Sequence, residues 1–164
     1  MKSTQVVVCI GCGGVGKTTV SASLGYMLAD QGYKTLVLTI DPAKRLATTL
    51  GIEGTKEITE VPGVQLKGKL FASVIDHQTV FNDFIKRASG AGADVTPIFR
   101  NKLYQQMSTT LSGSQEFTAL EKLYSAYESG EYDWIVLDTP PSKHAVDFLN
   151  APQKLAALFN DSNY

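Results

Sequence analysis

The sequence predicts an α/β fold, a doubly wound and mostly parallel sheet with helices on both faces. Three features carry this expectation. Short apolar runs without polar alternation occur at 5–10, 35–40 and 134–138, a helix-period segment separates the first two, and glycine-rich turns punctuate their ends. A strand covered by helices on both faces has no polar side, so it reads as an unbroken apolar run.

Taken in order, QVVVCI (5–10) is the first strand, expected to be buried on both faces. From Lys17 onward Val20, Leu24, Met27 and Leu28 recur at helical spacing, and Gly32 is the expected stop. TLVLTI (35–40) is the second buried strand, completing a βαβ unit. The stretch 64–75 supplies a third strand, with Gly63 and Gly68 as turn or bulge points. A helical insertion spans about 77–128. It comprises a helix at 77–88 carrying Val80, Phe81, Phe84 and Ile85, a glycine- and alanine-rich loop at 89–93, and a helix at 97–107. Its last helix, 114–128, places Phe117, Leu120, Leu123, Tyr124 and Tyr127 on one face. WIVLD (134–138) is the last strand. Residues 1–164 read as one domain, and the small sheet with an apolar edge is read as the N-terminal portion of a longer chain.

Composition excludes several classes of function. With 43% hydrophobic and 19% charged residues the chain is not disordered, and a formal net charge of -1 gives no global attraction to nucleic acid or anionic membrane. The aliphatic run at 6–10 falls far short of the roughly 20 residues a membrane span needs, so a cytoplasmic location is expected. Cys9 and Cys12 form a C-x-x-C, but Cys9 sits in a strand and there is no further Cys to complete a zinc site. A near-extended 9–12 segment puts their Cα atoms roughly 10 Å apart, beyond the limit of about 7 Å for a disulfide. The spacing is read as coincidence.

Chemistry concentrates at Gly11-Cys12-Gly13-Gly14-Val15-Gly16-Lys17-Thr18, which fits G-x-x-x-x-G-K-[ST] and lies between a strand and a helix. A chance match in a chain of this size has odds of about one in two hundred, and its placement lowers them further. Phosphates are best held by inward-pointing backbone N–H groups and the positive end of a helix, which calls for residues without bulky side chains, here Gly13, Gly14 and Gly16. Lys17 would reach the β- and γ-phosphates, and the Thr18 hydroxyl would ligate Mg²⁺. A structural turn has no need of Lys-Thr directly after its last Gly. Gly13, Gly14, Val15, Gly16, Lys17, Thr18 and Thr19 are therefore the nucleotide-binding candidates of a P-loop NTPase.

Two carboxylates fall at strand ends, where an open α/β sheet binds its ligand. Asp138 ends an apolar run in the Walker B manner and is the candidate for the Mg²⁺ shell, beside Thr18; as a mere helix cap it would not be followed by Pro140-Pro141. Asp41, before Pro42, suits a helix cap and also a group that orients or deprotonates a water in line with the γ-phosphate. Asp41 and Lys17 are the catalytic candidates.

GCGGVGKTT, TIDPAKRLA, LSGSQEF and YDWIVLDTPPSKHAVDFLNAP, in that order, resemble the motifs of arsenite-pump-driving, anion-transporting ATPases and the related tail-anchored-protein targeting ATPases. More narrowly they are similar to a bacterial branch with DPARR-type and DTPP-type switch motifs. The resemblance implies that Asp41 acts on the attacking water and that Asp138 belongs to the second switch. It aligns His144 with a switch histidine, and Ser112, Gly113 and Glu116 with a P-G-x-x-E element whose Pro is here Ser. Many relatives carry Lys where Cys12 stands, a lysine that reaches across a dimer; Lys44 and Arg45 are the nearest cations to replace it. No thiolate cluster is present, so arsenite handling is disfavoured.

The expected function is a Mg-dependent ATP-binding and hydrolysing switch of this type, using ATP and Mg²⁺. Its expected partners are ATP and ADP, a second copy or homologous subunit in a dimer, and an unidentified client or membrane protein, without nucleic acid. A partitioning or septum-positioning ATPase and a small-molecule P-loop kinase are the alternatives.

Overall fold

The computed structural model describes residues 3–39, 45–52, 57–63, 65–90, 94–96 and 115–139. Strand β1 (Gln5–Cys9) leads into helix α1 (Lys17–Asp30), then β2 (Lys34–Thr39), α2 (Arg45–Leu50), β3 (Thr59–Glu60) and β4 (Lys69–Val74). Helices α3 (His77–Ala88) and α4 (Gln115–Glu128) precede β5 (Trp134–Asp138). Among the described residues the sheet has five strands in the order β1-β5-β2-β4-β3, parallel except for β3, which runs antiparallel to β4.

Both faces of the sheet are covered, as expected of a doubly wound fold. Val37, Ala72 and Val136 meet Ala22, Leu28 and Ala29 of α1 and Leu46 and Ala47 of α2. On the other face Leu36, Leu38, Ile135 and Leu137 meet Val80 of α3 and Ala119 and Ala126 of α4. Neighbouring residues of one strand thus divide between two cores, the alternation a pleated strand imposes. Helix α3 is started by Asp76, whose carboxylate accepts from the Thr79 N–H at 3.0 Å, and an Arg87–Glu121 ion pair joins it to α4.

The structure departs from the sequence reading in four places. Strand β1 is not buried on both faces: it is first in the strand order and its residues are exposed or half-buried. Only half of the expected apolar stripe on α1 packs: Leu28 is buried and Leu24 lies against the same core, while Val20 and Met27 face outward. Val20 and Met27 are 58% and 49% exposed, while Ser21, Ala22, Gly25, Leu28 and Ala29 are buried. Small residues let the helix backbone come down onto β2, so closely that a Cβ at Gly25 would run into the Val37 side chain. On α4, Leu120 and Leu123 reach the core but Tyr124 and Tyr127 are exposed, and Thr118 and Ala119 are buried in their stead. The third expected strand is shorter, Lys69–Val74, and the two-residue β3 extends the sheet beside it. The helix expected at 97–107 and loop residues 91–93 lie outside the described residues.

Candidate functional site

The loop between β1 and α1 is built to leave donors open. Gly14 and Gly16 have φ of 80° and 87°, the left-handed region that a side chain enters only at a cost. Gly16 is also the N-cap of α1, so no side-chain oxygen caps the helix, and its first turn holds no acidic residue. The first helical N–H bond runs from Val20 to the Gly16 carbonyl at 3.0 Å. The N–H groups of Lys17, Thr18 and Thr19 precede it and have no intrahelical acceptor, which leaves the positive end of α1 available to an anion. The Lys17 ammonium folds back over the loop and donates to the Cys12 carbonyl at 2.8 Å. Exchanging that neutral acceptor for a phosphate oxygen is a favourable trade for a point charge.

Strand order sets the opposite wall. β5 lies between β1 and β2, so that Cys9, Asp138 and Thr39 stand at the same level across three strands. The Asp138 carboxylate, 1% exposed, receives the Thr18 hydroxyl at 2.7 Å and the Thr39 hydroxyl at 3.0 Å, both on Oδ2. Its Oδ1 is buried without a hydrogen-bond partner. Thr139 locks the next residue to the loop's entry, donating both its hydroxyl, at 2.7 Å, and its N–H, at 3.3 Å, to the Cys9 carbonyl. A hydroxyl that donates to a carboxylate keeps its lone pairs for a hard cation. That donor set, with an orphaned carboxylate oxygen beside it, fits Mg²⁺, which takes one or two protein oxygens and completes its shell with water and phosphate. Among the described residues there is no group of three His, Cys, Asp or Glu suited to a metal held by protein alone.

Of the residues singled out from sequence, Lys17, Thr18 and Asp138 come together at one corner of the sheet, with Gly13, Gly14, Val15 and Gly16 forming the loop and Thr19 following on α1. Asp41, Lys44, Ser112, Gly113 and His144 lie outside the described residues; Arg45 begins α2 and Glu116 lies on α4, their side chains likewise outside. Cys9 and Cys12 are free thiols, half-buried and exposed respectively. Thr39 went unnoticed in the sequence. The signal was a hydroxyl near the end of a buried run, two residues before Asp41, but Thr35 opens the same run and the partner of Thr39 depends on strand order. Among the described residues no helix is long and apolar enough to cross a membrane.

A glycine loop and a buried strand-end carboxylate, meeting through the first hydroxyl of the helix, make this a P-loop NTPase fold. The chain belongs to the anion-transporting ATPase family, which it matches over residues 4–162. It is 30% identical over 154 residues to ATPase GET3 of Malassezia globosa, covering 94% of this chain and 44% of that protein. ATPase get3 of Schizosaccharomyces pombe is 30% identical over 145 residues, 88% of this chain and 42% of the relative. ATPase ASNA1 homolog 1 of Paramecium tetraurelia is 30% identical over 142 residues, 87% and 42%. The chain thus spans less than half the length of these curated relatives.

Proposed function

We propose that the chain is the nucleotide-binding part of a Mg-dependent ATP-hydrolysing switch. The observation that carries this is the Thr18–Asp138 hydrogen bond at 2.7 Å, because it joins the phosphate loop to a buried carboxylate and turns the Thr18 lone pairs outward. In this reading the N–H groups of the loop and of Lys17 to Thr19 hold the phosphates. The Lys17 ammonium leaves the Cys12 carbonyl for the β- and γ-phosphate oxygens. Thr18 and Asp138 hold Mg²⁺, which when bound neutralises charge on those oxygens. Asp41 orients a water and accepts its proton as the water oxygen bonds to the γ-phosphorus and the bond to the β-phosphate bridging oxygen breaks, giving ADP and phosphate.

A switch needs a segment that responds to the γ-phosphate. Asp41 follows β2 by two residues and Asp138 ends β5, so both candidate switch segments leave adjacent strands. The name of the matched family and those of the relatives, each an ATPase, support hydrolysis as the reaction. Coupling to a second copy and to a protein client or transport partner in the cytosol completes the proposal.

ATP turnover measured with Mg²⁺ and with a chelator tests this, together with Asp41→Asn. The wild type is expected to hydrolyse ATP only with Mg²⁺. The variant should bind nucleotide but turn over at least about a hundredfold more slowly, because an amide cannot take the water's proton. Turnover at the wild-type rate in Asp41→Asn would remove Asp41 from the chemistry.

A further inference from the structure

We propose that Thr39 is a positioning residue for Mg-nucleotide binding, acting through Asp138 on Thr18; this rests on the reading of Thr18 and Asp138 as the Mg²⁺ site. Thr39 is fully buried and ends β2, level with Asp138 on β5, and its hydroxyl donates to Asp138 Oδ2 at 3.0 Å. The residues before it, Leu36, Val37 and Leu38, are apolar and buried, as helices on both faces of the sheet require. The same strand also buries Thr35, whose hydroxyl has no hydrogen-bond partner, so what distinguishes Thr39 is that its hydroxyl meets a carboxylate.

Its effect follows from how a carboxylate moves. With one donor, from Thr18, the Asp138 carboxylate is free to turn about its Cβ–Cγ bond and exchange its oxygens. A second donor from the neighbouring strand holds Oδ2 in one place, between Thr18 and Thr39, and keeps Oδ1 as the oxygen without a partner. The Thr18 proton then has a single direction, and so do the lone pairs it leaves for a cation. Thr39 reaches Thr18 through Asp138, by the hydrogen bond to Oδ2. Its contribution is orientation, and the property it sets is the gain in nucleotide affinity that Mg²⁺ confers.

Calorimetric titration of the wild-type protein, Thr39→Val and Thr39→Ser with ADP, each with and without Mg²⁺, tests this, with melting temperatures measured alongside. Thr39→Val is expected to bind Mg-free ADP within about twofold of wild type and to lose about tenfold of the Mg²⁺-dependent gain, the scale of one hydrogen bond to a charged group. Thr39→Ser, which restores the hydroxyl, should recover it. If Thr39→Val does not fold, Thr39→Ala deletes the same hydroxyl without adding volume and is held to the same expectation. A purely structural role would lower the melting temperature and weaken ADP equally with and without Mg²⁺. That result, a full Mg²⁺ gain in Thr39→Val, or a Thr39→Ser as impaired as Thr39→Val, overturns the proposal while the site stands. A wild type that gains nothing from Mg²⁺ overturns the reading of the site and the proposal with it.

Discussion

Asp138 concentrates what single residues decide. It is 1% exposed, yet two hydroxyls from different elements meet on one of its oxygens. Lys17, Thr18 and Asp138 were legible in the sequence because phosphate chemistry dictates their types and local spacing dictates their placement. Thr39 was not, since nothing local says that β5 will lie beside β2. Gly16 is a residue whose identity the backbone demands, with a positive φ at the N-cap of α1. At φ 87° an alanine there is expected to cost about 1–2 kcal/mol in stability by urea denaturation, and to weaken nucleotide binding by displacing the first N–H groups of α1. Gly16→Ala with unchanged stability and affinity would show that the loop tolerates a side chain where the account says it cannot.

At the scale of elements, α1 shows how periodicity can mislead. Val20, Leu24, Met27 and Leu28 have the helical spacing of a core face, but only Leu24 and Leu28 pack, beside Ser21, Ala22, Gly25 and Ala29, while Val20 and Met27 are exposed. Hydropathy registers large apolar side chains, whereas a helix pressed onto a sheet selects for small ones. Gly25→Ala separates the two effects. Helix propensity alone would favour alanine by about 1 kcal/mol, while overpacking against Val37 and Leu70 costs about 1–3 kcal/mol; a net loss of about 1 kcal/mol is expected, and a gain would mean that α1 shifts freely on the sheet.

Before β5, Tyr132 gives a pH dependence. Burial, and then the negative charge of Glu131, push its phenol above the ordinary value of about 10, while the Lys34 ammonium lies 5.2 Å from its ring centroid. The unfolded chain therefore ionises first, so the contribution is complete below about pH 10 and is lost as pH rises through the folded-state value. Denaturation midpoints between pH 8 and 11 should fall less steeply in Tyr132→Phe than in wild type, and parallel profiles would contradict the assignment.

At the scale of the whole molecule, the fold class followed from the apolar runs, but the strand order did not. β5 is the last strand of the described chain but second in the sheet: it inserts between β1 and β2, and that insertion brings Asp138 to the P-loop. Among the described residues the same order puts β1 at an edge, and its run, expected to be buried on both faces, is exposed or half-buried there. Strand exchange of this kind is governed by long-range packing, to which a single sequence offers no local signal. Calorimetric titration with a non-hydrolysable ATP analogue and Mg²⁺, on wild type and Lys17→Ala, tests the central claim most directly. The wild type is expected to bind, and Lys17→Ala to bind about a hundredfold more weakly at an unchanged melting temperature, since among the described residues the Lys17 ammonium holds the Cys12 carbonyl of an exposed loop. Equal affinity of the two proteins would contradict the assignment of this corner of the sheet as a nucleotide site.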